Sequence, residues 1–311
     1  MKIRVYGAID IGSNAVRLLI SNVIEEKGKE PKFKKSSLVR VPIRLGQDSF
    51  THGEITEENQ ERMVNAMKAF RLLMKVHGVE DYMACATSAM REAGNSAEVI
   101  AKIKKKAGIK INIIDGKEEA AIIASTDLHE LIEKDKTYLY VDVGGGSTEF
   151  TIFSRGKVVT SRSFKMGTVR FLNDMVKKSI WKELEDWIKK NTKNHKRIAL
   201  IGSGGNINKL FKMSGQKPEK PLSYIWLNAQ YHFLQSLTYE QRITELGLNP
   251  DRSDVIIPAT RIYLSAAKWS GAKDIYVPKI GLSDGIIKTL YYKGPSRKKV
   301  TNMNVLGFTE L

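Results

Sequence analysis

Hydrophobic and polar positions along the chain fall into two passes of one pattern. The first opens with Ala8-Ile9-Asp10-Ile11-Gly12-Ser13-Asn14, the second with Tyr140-Val141-Asp142-Val143-Gly144-Gly145-Gly146-Ser147-Thr148-Glu149. In each, a short apolar run ends in an Asp, turns on glycine and serine, and resumes as a second apolar run, residues 16–20 or 150–153. Such runs on both sides of a tight glycine turn predict a β-hairpin. A third strand is expected after each hairpin, over residues 33–45 and 157–164. Helices and strands then alternate. In the first pass a helix starts at Thr56, with Met63, Met67, Phe70 and Met74 at helical spacing and Gly78 as its stop. A strand at 82–86, a helix from Asn95 to Gly108, a strand at 110–114 and a helix over 120–132 complete it. The second pass predicts helices at 169–175 and 181–188, a strand at 197–201, a helix after Gly205, further helices between 228 and 270, a strand at 274–277 and a last helix from Ser283. Three strands followed by alternating helices and strands, twice, is an α/β plan with two domains and mixed sheets. The boundary falls within 125–136, giving domains 1–130 and 131–311, with the last helix free to pack back on the first. No Pro/Gly/Ser-rich spacer separates them, so a tight interface with a cleft is expected.

The turns carry the candidate chemistry. Glycines allow consecutive backbone N–H groups to form an anion nest, hydroxyls add donors, and an Asp at a strand end can hold a metal or a water beside it. One such turn reads as an ordinary hairpin; two with the same Asp-x-Gly core read as phosphate clamps facing each other. Three segments sit where a cleft would need them. Gly202-Ser203-Gly204-Gly205-Asn206 follows a strand and opens a helix, whose N-terminus favours phosphate, although such turns are common. Thr87-Ser88-Ala89-Met90-Arg91-Glu92 ends a strand with two hydroxyls and an arginine; a helix cap with a surface Arg is the equal alternative. In Asp115-Gly116-Lys117-Glu118-Glu119-Ala120 two acids open a helix, where the plainer reading is complementarity to the helix dipole.

Composition narrows the class. The 311 residues are 42% hydrophobic and 27% charged, an ordinary soluble mix. No apolar stretch is long enough for a bilayer, and Lys2 and Arg4 flank a strand-like start rather than a signal peptide. Cys85, the single cysteine, excludes an internal disulfide, so the expected compartment is the cytoplasm. The net charge of +17, concentrated near 102–106, 189–197, 217–220 and 297–299, attracts polyanions without selecting one. A run such as Lys104-Lys105-Lys106 is more often a solvated helix face.

Taken in order, the 8–14 segment with Arg17-Leu18-Leu19-Ile20, Ala86-Thr87-Ser88-Ala89-Met90-Arg91-Glu92-Ala93, Gly116-Lys117-Glu118-Glu119-Ala120 and the 141–150 segment resemble the exopolyphosphatase/guanosine pentaphosphate phosphatase (Ppx/GppA) family. Weaker matches continue through Met166-Gly167-Thr168-Val169-Arg170, the 202–206 turn, Arg252 with Asp254, and Gly281-Leu282-Ser283-Asp284-Gly285. The resemblance implies two ribonuclease-H-like domains of the actin/Hsp70/sugar-kinase superfold around an interdomain cleft. It is to the short, two-domain type, because the chain stops at Leu311 without an HD-like helical domain. It also implies hydrolysis at the terminal phosphate of an anionic chain. Glu119 would orient and deprotonate the attacking water, with Glu118 as the neighbouring alternative, and Arg91, supported by Arg17, would neutralise developing charge. Gly12, Ser13, Asn14, Gly144, Gly145, Gly146, Ser147 and Thr148 would bind phosphoryl oxygens, joined by Gly204 and Gly205. Asp142 and Glu149, with Asp10 close by, would sit near Mg2+ or another hard divalent ion. The expected partner is inorganic polyphosphate or another polyphosphorylated anion, with no membrane and no specific nucleic acid; a homodimer is compatible. Exopolyphosphatase is the leading expectation and pppGpp 5′-phosphohydrolase the alternative. An ATP-binding sugar kinase or actin-like protein lacks its recognition motif here, and intact Glu119, Asp142 and Glu149 argue against a non-catalytic polyphosphate- or alarmone-binding module.

Overall fold

The computed structural model describes residues 1–126, 133 and 136–293. Strands β1 (Lys2–Ile11), β2 (Val16–Glu25), β3 (Lys32–Val41), β4 (Asp81–Ala86) and β5 (Ile111–Ile113) form one sheet in the order β3-β2-β1-β4-β5. Strands β6 (Thr137–Val143), β7 (Thr148–Ser154), β8 (Lys157–Phe164), β9 (Ile198–Ser203), β10 (Leu222–Ser223) and β11 (Asp274–Tyr276) form the other, ordered β10-β11-β9-β6-β7-β8. The two are one plan used twice. A hairpin and its third strand run antiparallel, and the strand after the intervening helices joins in parallel on the other side of the first strand.

Alternation along the central strands explains how the halves join. Successive side chains in a strand point to opposite faces. Ile9 and Ile11 face a core private to the first half, with Met63, Met67, Phe70, Val99 and Ile103. Leu139, Val141 and Val143 do the same in the second, with Leu184, Leu200 and Tyr263. The intervening residues, Tyr6 and Ala8 on β1 and Tyr138 and Tyr140 on β6, enter a third core shared by both halves, with Ile201, Ile286, Ile287 and Tyr291. Asp10 and Asp142 continue these shared-face rows by one step, so both carboxylates arrive where the halves meet. The helix Leu282–Lys293 closes that shared core by packing on β1, β4 and the helix Gly116–Ala124. Only a glycine allows the approach: a Cβ on Gly285 would lie 2.2 Å from the Ile122 carbonyl oxygen.

Several elements differ from the sequence-based expectation. The third strand stops at Val41 rather than continuing to 45, because Pro42 has no N–H for the ladder and Arg44 turns into the left-handed region (φ 61°). A helix, Leu45–His52, starts there instead. Arg91 lies on a short helix, Ser88–Glu92, so of the two readings of 87–92 the helical one describes the backbone. The helix expected from 228 begins at Tyr224, capped by the Ser223 hydroxyl accepting from the Trp226 N–H. The helix expected over 120–132 is described as Gly116–Ala124; the rest of it, and the boundary placed at 130/131, lie outside the described residues. Among the described residues no helix is long and apolar enough to cross a membrane.

Candidate active site

The two hairpin turns share one geometry. Gly12 N–H donates to Ala15 O at 3.1 Å, and Gly144 N–H to Ser147 O at 3.0 Å. Their carbonyls are then taken up from behind. Ser13 O accepts from Gly46 N–H (2.7 Å) and Asn14 O from Arg44 N–H (3.1 Å). In the second turn Gly144 O accepts from Thr168 N–H (3.0 Å), Gly145 O from Val169 N–H (2.8 Å) and Gly146 O from Arg170 Nε (2.8 Å). A carbonyl and the following N–H point in opposite directions across a trans peptide. The N–H groups of Asn14 and Ala15, and those of Gly145, Gly146 and Ser147, therefore point away from the backing segments. Among the described residues none of these amides has a partner. They are two sets of free donors suited to anionic oxygens. Gly167 is what lets its segment back the turn so closely, since a Cβ there would lie 2.2 Å from Gly145 O. The turns touch rather than stand apart: a Cβ on Gly145 would lie 2.8 Å from Ser13 Cβ.

Register places the charges. Across the first sheet Asp10 lies opposite Arg17 and Arg17 opposite Arg40; across the second Asp142 lies opposite Glu149 and Glu149 opposite Ser163. The duplicated scaffold thus carries a basic row beside the first turn and an acidic row beside the second. Arg17 Nη1 donates to Asp10 Oδ2 (3.0 Å). Ser147 and Ser163 donate to Glu149 Oε1 at 2.6 and 3.0 Å, and Ser203 donates to Asp142 Oδ2 at 3.3 Å. Glu119 arrives from the helix Gly116–Ala124. Asp115 caps this helix by accepting from Glu118 N–H (2.8 Å), and Gly116 lies against Ser163 of β8. Glu119 is buried and Glu118 exposed. Among the described residues Glu119 Oε2 has no hydrogen-bond partner.

These four carboxyls hold their protons more tightly than usual. Burial raises Asp10 against the opposing Arg17 charge. Burial brings Asp142 to about 6, with Arg17 opposing and Asp10 reinforcing. Burial brings Glu149 to about 7, opposed by the Ser147 hydrogen bond and reinforced by Asp142. Glu119 lies well above its ordinary value through burial and then repulsion from Glu149, Asp142 and Asp10, with Arg91 opposing. Among the described residues no three Asp, Glu, His or Cys side chains converge closely enough to cage a metal. Asp142 and Glu149 present hard oxygen donors, while Asp10 is engaged by Arg17. This set suits a small divalent ion that keeps its waters and completes its shell from phosphate.

The remaining candidate residues divide. Arg91 Nη1 donates to Ile114 O at 2.7 Å, and its charge acts on Glu119 and Glu149. Ser13 Oγ lies 2.9 Å from Ser88 Oγ. Gly204 borders the acidic row, 3.4 Å from an added Cβ to Asp142 Oδ1, and Gly205 opens the helix Gly205–Met213. Thr148 does not join them: its fully buried hydroxyl donates to Met166 O. Arg252, from the short helix Pro250–Ser253, appeared in the sequence only as a weak motif match. Its Nη1 donates to Gly205 O at 3.2 Å. Burial and the charges of Arg40 and Arg17 lower its pKa, and it forms no ion pair among the described residues. No local spacing could have flagged it, because a fold contact brings it there.

The profile of the Ppx/GppA phosphatase family matches residues 26–292. The chain belongs to that family. That family is one of phosphatases. It is 31% identical over 299 residues to a bifunctional 3-dehydroquinate synthase/phosphatase of Fusobacterium nucleatum, covering 87% of this chain and 44% of that protein. It is 32% identical over 167 residues to a guanosine-5′-triphosphate,3′-diphosphate pyrophosphatase of Photobacterium profundum, covering 54% of this chain and 32% of that one. The chain thus spans less than half the length of either curated relative. Among solved structures, an exopolyphosphatase from Cytophaga hutchinsonii superposes with a TM-score of 0.79 at 25% identity, covering 92% of this chain and 97% of that one.

Proposed function

We propose that the chain is an exopolyphosphatase that removes the terminal phosphate of inorganic polyphosphate by water attack. The observation that carries this reading is the pair of turns with free amides, meeting beside buried Asp10, Glu119 and Glu149 and half-buried Asp142. The turn amides of 14–15 and 145–147 hold the terminal phosphoryl oxygens. Arg91 and Arg17 balance the charge that spreads over those oxygens in a loose transition state, where positioning outweighs covalent chemistry. Glu119, whose Oε2 is buried and unpartnered, orients the attacking water and accepts its proton. Its raised proton affinity makes it a stronger base than an ordinary carboxylate. Asp142 and Glu149 would hold a hard divalent ion such as Mg2+, which when bound lends positive charge to the phosphoryl oxygens.

Beyond the reacting phosphate, Arg252 beside Arg17 and Arg40 is a guanidinium without a carboxylate partner among the described residues. Such a group suits the next phosphates of a chain better than a purine base, and it favours polyphosphate. The second reading, removal of the 5′ terminal phosphate of pppGpp, is favoured by the likeness to the Photobacterium pyrophosphatase. Phosphate release measured side by side on polyphosphate, pppGpp and ATP separates them. Polyphosphate is expected to have the highest kcat/KM. A preference for pppGpp would replace the first reading with the second, and release from none of the three would remove both.

A further inference from the structure

We propose that Arg170 and Arg44 are positioning residues, a reciprocal pair of struts that set how the two phosphate-holding turns are placed against each other. This rests on the reading that both turns hold the same phosphate. Each arginine belongs to the segment that backs the turn of its own half, and each side chain crosses to a carboxylate of the other half. From the first half, Arg44 N–H holds Asn14 O, and its Nη2 meets Asp254 Oδ2 at 2.6 Å. From the second, Arg170 Nε holds Gly146 O at 2.8 Å, and its Nη2 meets Glu92 Oε2 at 2.5 Å. The Arg170 guanidinium also lies over the Phe50 ring of the first half, 3.9 Å from its centroid.

The consequences reach the reacting groups directly. Glu92 follows Arg91 on the helix Ser88–Glu92, whose Ser88 hydroxyl contacts Ser13 of the first turn. One strut therefore ties the second turn to the element carrying Arg91 and to the first turn. Arg44 occupies a left-handed conformation that non-glycine residues avoid, and its backbone and side-chain bonds together hold it there. Asp254 Oδ1 is buried without a partner among the described residues, and there Arg44 is the ion-pair partner of this carboxylate. The bidentate reach of arginine is needed at 170, because a lysine has no second nitrogen to hold Gly146 O while meeting Glu92.

The test combines kinetics on tripolyphosphate with a distance measurement that needs no turnover. Spin labels on Leu72→Cys and Ile225→Cys, both exposed and in opposite halves, report the separation; Cys85 is buried and stays unlabelled. Displacing one turn by about an ångström can cost on the order of a hundredfold in rate. Glu92→Gln and Asp254→Asn are each expected to lower kcat about tenfold or more, to leave KM within about threefold, and to broaden the label distance. Arg44→Asp paired with Asp254→Arg is expected to recover both readouts relative to Asp254→Arg alone, since Asp tolerates the left-handed backbone. Unchanged kcat and distances in the single variants would overturn the proposal. So would a loss of thermal stability alone, or a reversed pair no better than its single parent. If the unaltered protein releases no phosphate, the functional reading fails while the label distances still judge the struts.

Discussion

At the residue scale, three buried carboxyls and half-buried Asp142 beside two anion-binding turns set up opposing demands. A wholly ionised cluster would repel the substrate, and a wholly protonated one could not accept a proton. Glu119 is the group freest to act, because Asp10 is paired with Arg17 while Asp142 and Glu149 accept from serines. Glu119→Gln preserves size but cannot take a proton. It is expected to lower kcat by about a hundredfold or more and to leave substrate affinity within about threefold. Glu118→Gln, on the exposed side, is expected to be nearly silent; full activity in Glu119→Gln would remove the assigned base. A second consequence concerns stability. Asp142 at about 6 and Glu149 at about 7 bind protons more tightly in the folded protein than in the unfolded chain. Their stabilising contribution is complete below their ordinary carboxyl range and is lost as pH rises through about 6 to 7. In chelator, these groups lower the Tm between about pH 5 and about pH 8, and a divalent ion offsets that loss where protons no longer compete. The rise in Tm on adding magnesium is therefore expected to be larger at the higher pH. An equal rise at both would separate these carboxylates from the metal.

At the scale of elements, one helix from the end of the described chain supports the helix that carries Glu119. The contact of Leu282–Lys293 with Gly116–Ala124 depends on Gly285, where any Cβ would collide with Ile122 O. Gly285→Ala is expected to destabilise by about 1–3 kcal/mol, as overpacking does. It should lower kcat as well, because the displaced helix carries Glu119. Chemical denaturation and phosphate release check the two effects, and a variant as stable and active as the parent would show that the contact yields freely. Alternating apolar positions made the hairpins and both central strands legible from sequence, and the Met63, Met67, Phe70 row marked its helix. The paired Asp-x-Gly turns were legible for the same reason, since a local pattern fixes a local turn. Helix Leu45–His52 was hidden because Leu45 continues the apolar run of the preceding strand, and only Pro42 hints at the break. Thr148 looked like a ligand because it adjoins Ser147, but strand alternation turns its hydroxyl into the core. Arg44, Arg170 and Arg252 act through contacts between distant segments, which no spacing along the chain encodes.

At the scale of the whole molecule, the net charge of +17 is unevenly available to a ligand. Part of the lysine charge on helices is answered locally. Lys102 pairs with Glu57 and Glu61, Lys106 with Glu61, Lys182 with Asp186 and Lys189 with Glu185. Near the turns the cations are arginines, and Arg17, Arg40 and Arg44 meet Asp10, Asp251 and Asp254, leaving Arg252, like Arg91, without such a partner among the described residues. If a polyphosphate chain runs past Arg252, neutralising that residue should remove one counterion-releasing contact. By analogy with nucleic acids, where each phosphate contact contributes roughly 0.7–0.9 to the slope of log affinity against log salt, Arg252→Gln should flatten the slope for long polyphosphate by about one unit. Tripolyphosphate, which ends sooner, should show a smaller change, and kcat on it should fall less than affinity for the long chain. Lys189→Gln serves as the comparison, because its charge is already answered on its own helix, and it is expected to leave both slopes alone. Equal slopes for the long and short chains in the parent protein would mean that the basic surface is merely solvated. A slope that responds to Lys189 but not to Arg252 would move the path of the chain from the arginines of the cleft to the outer helix face.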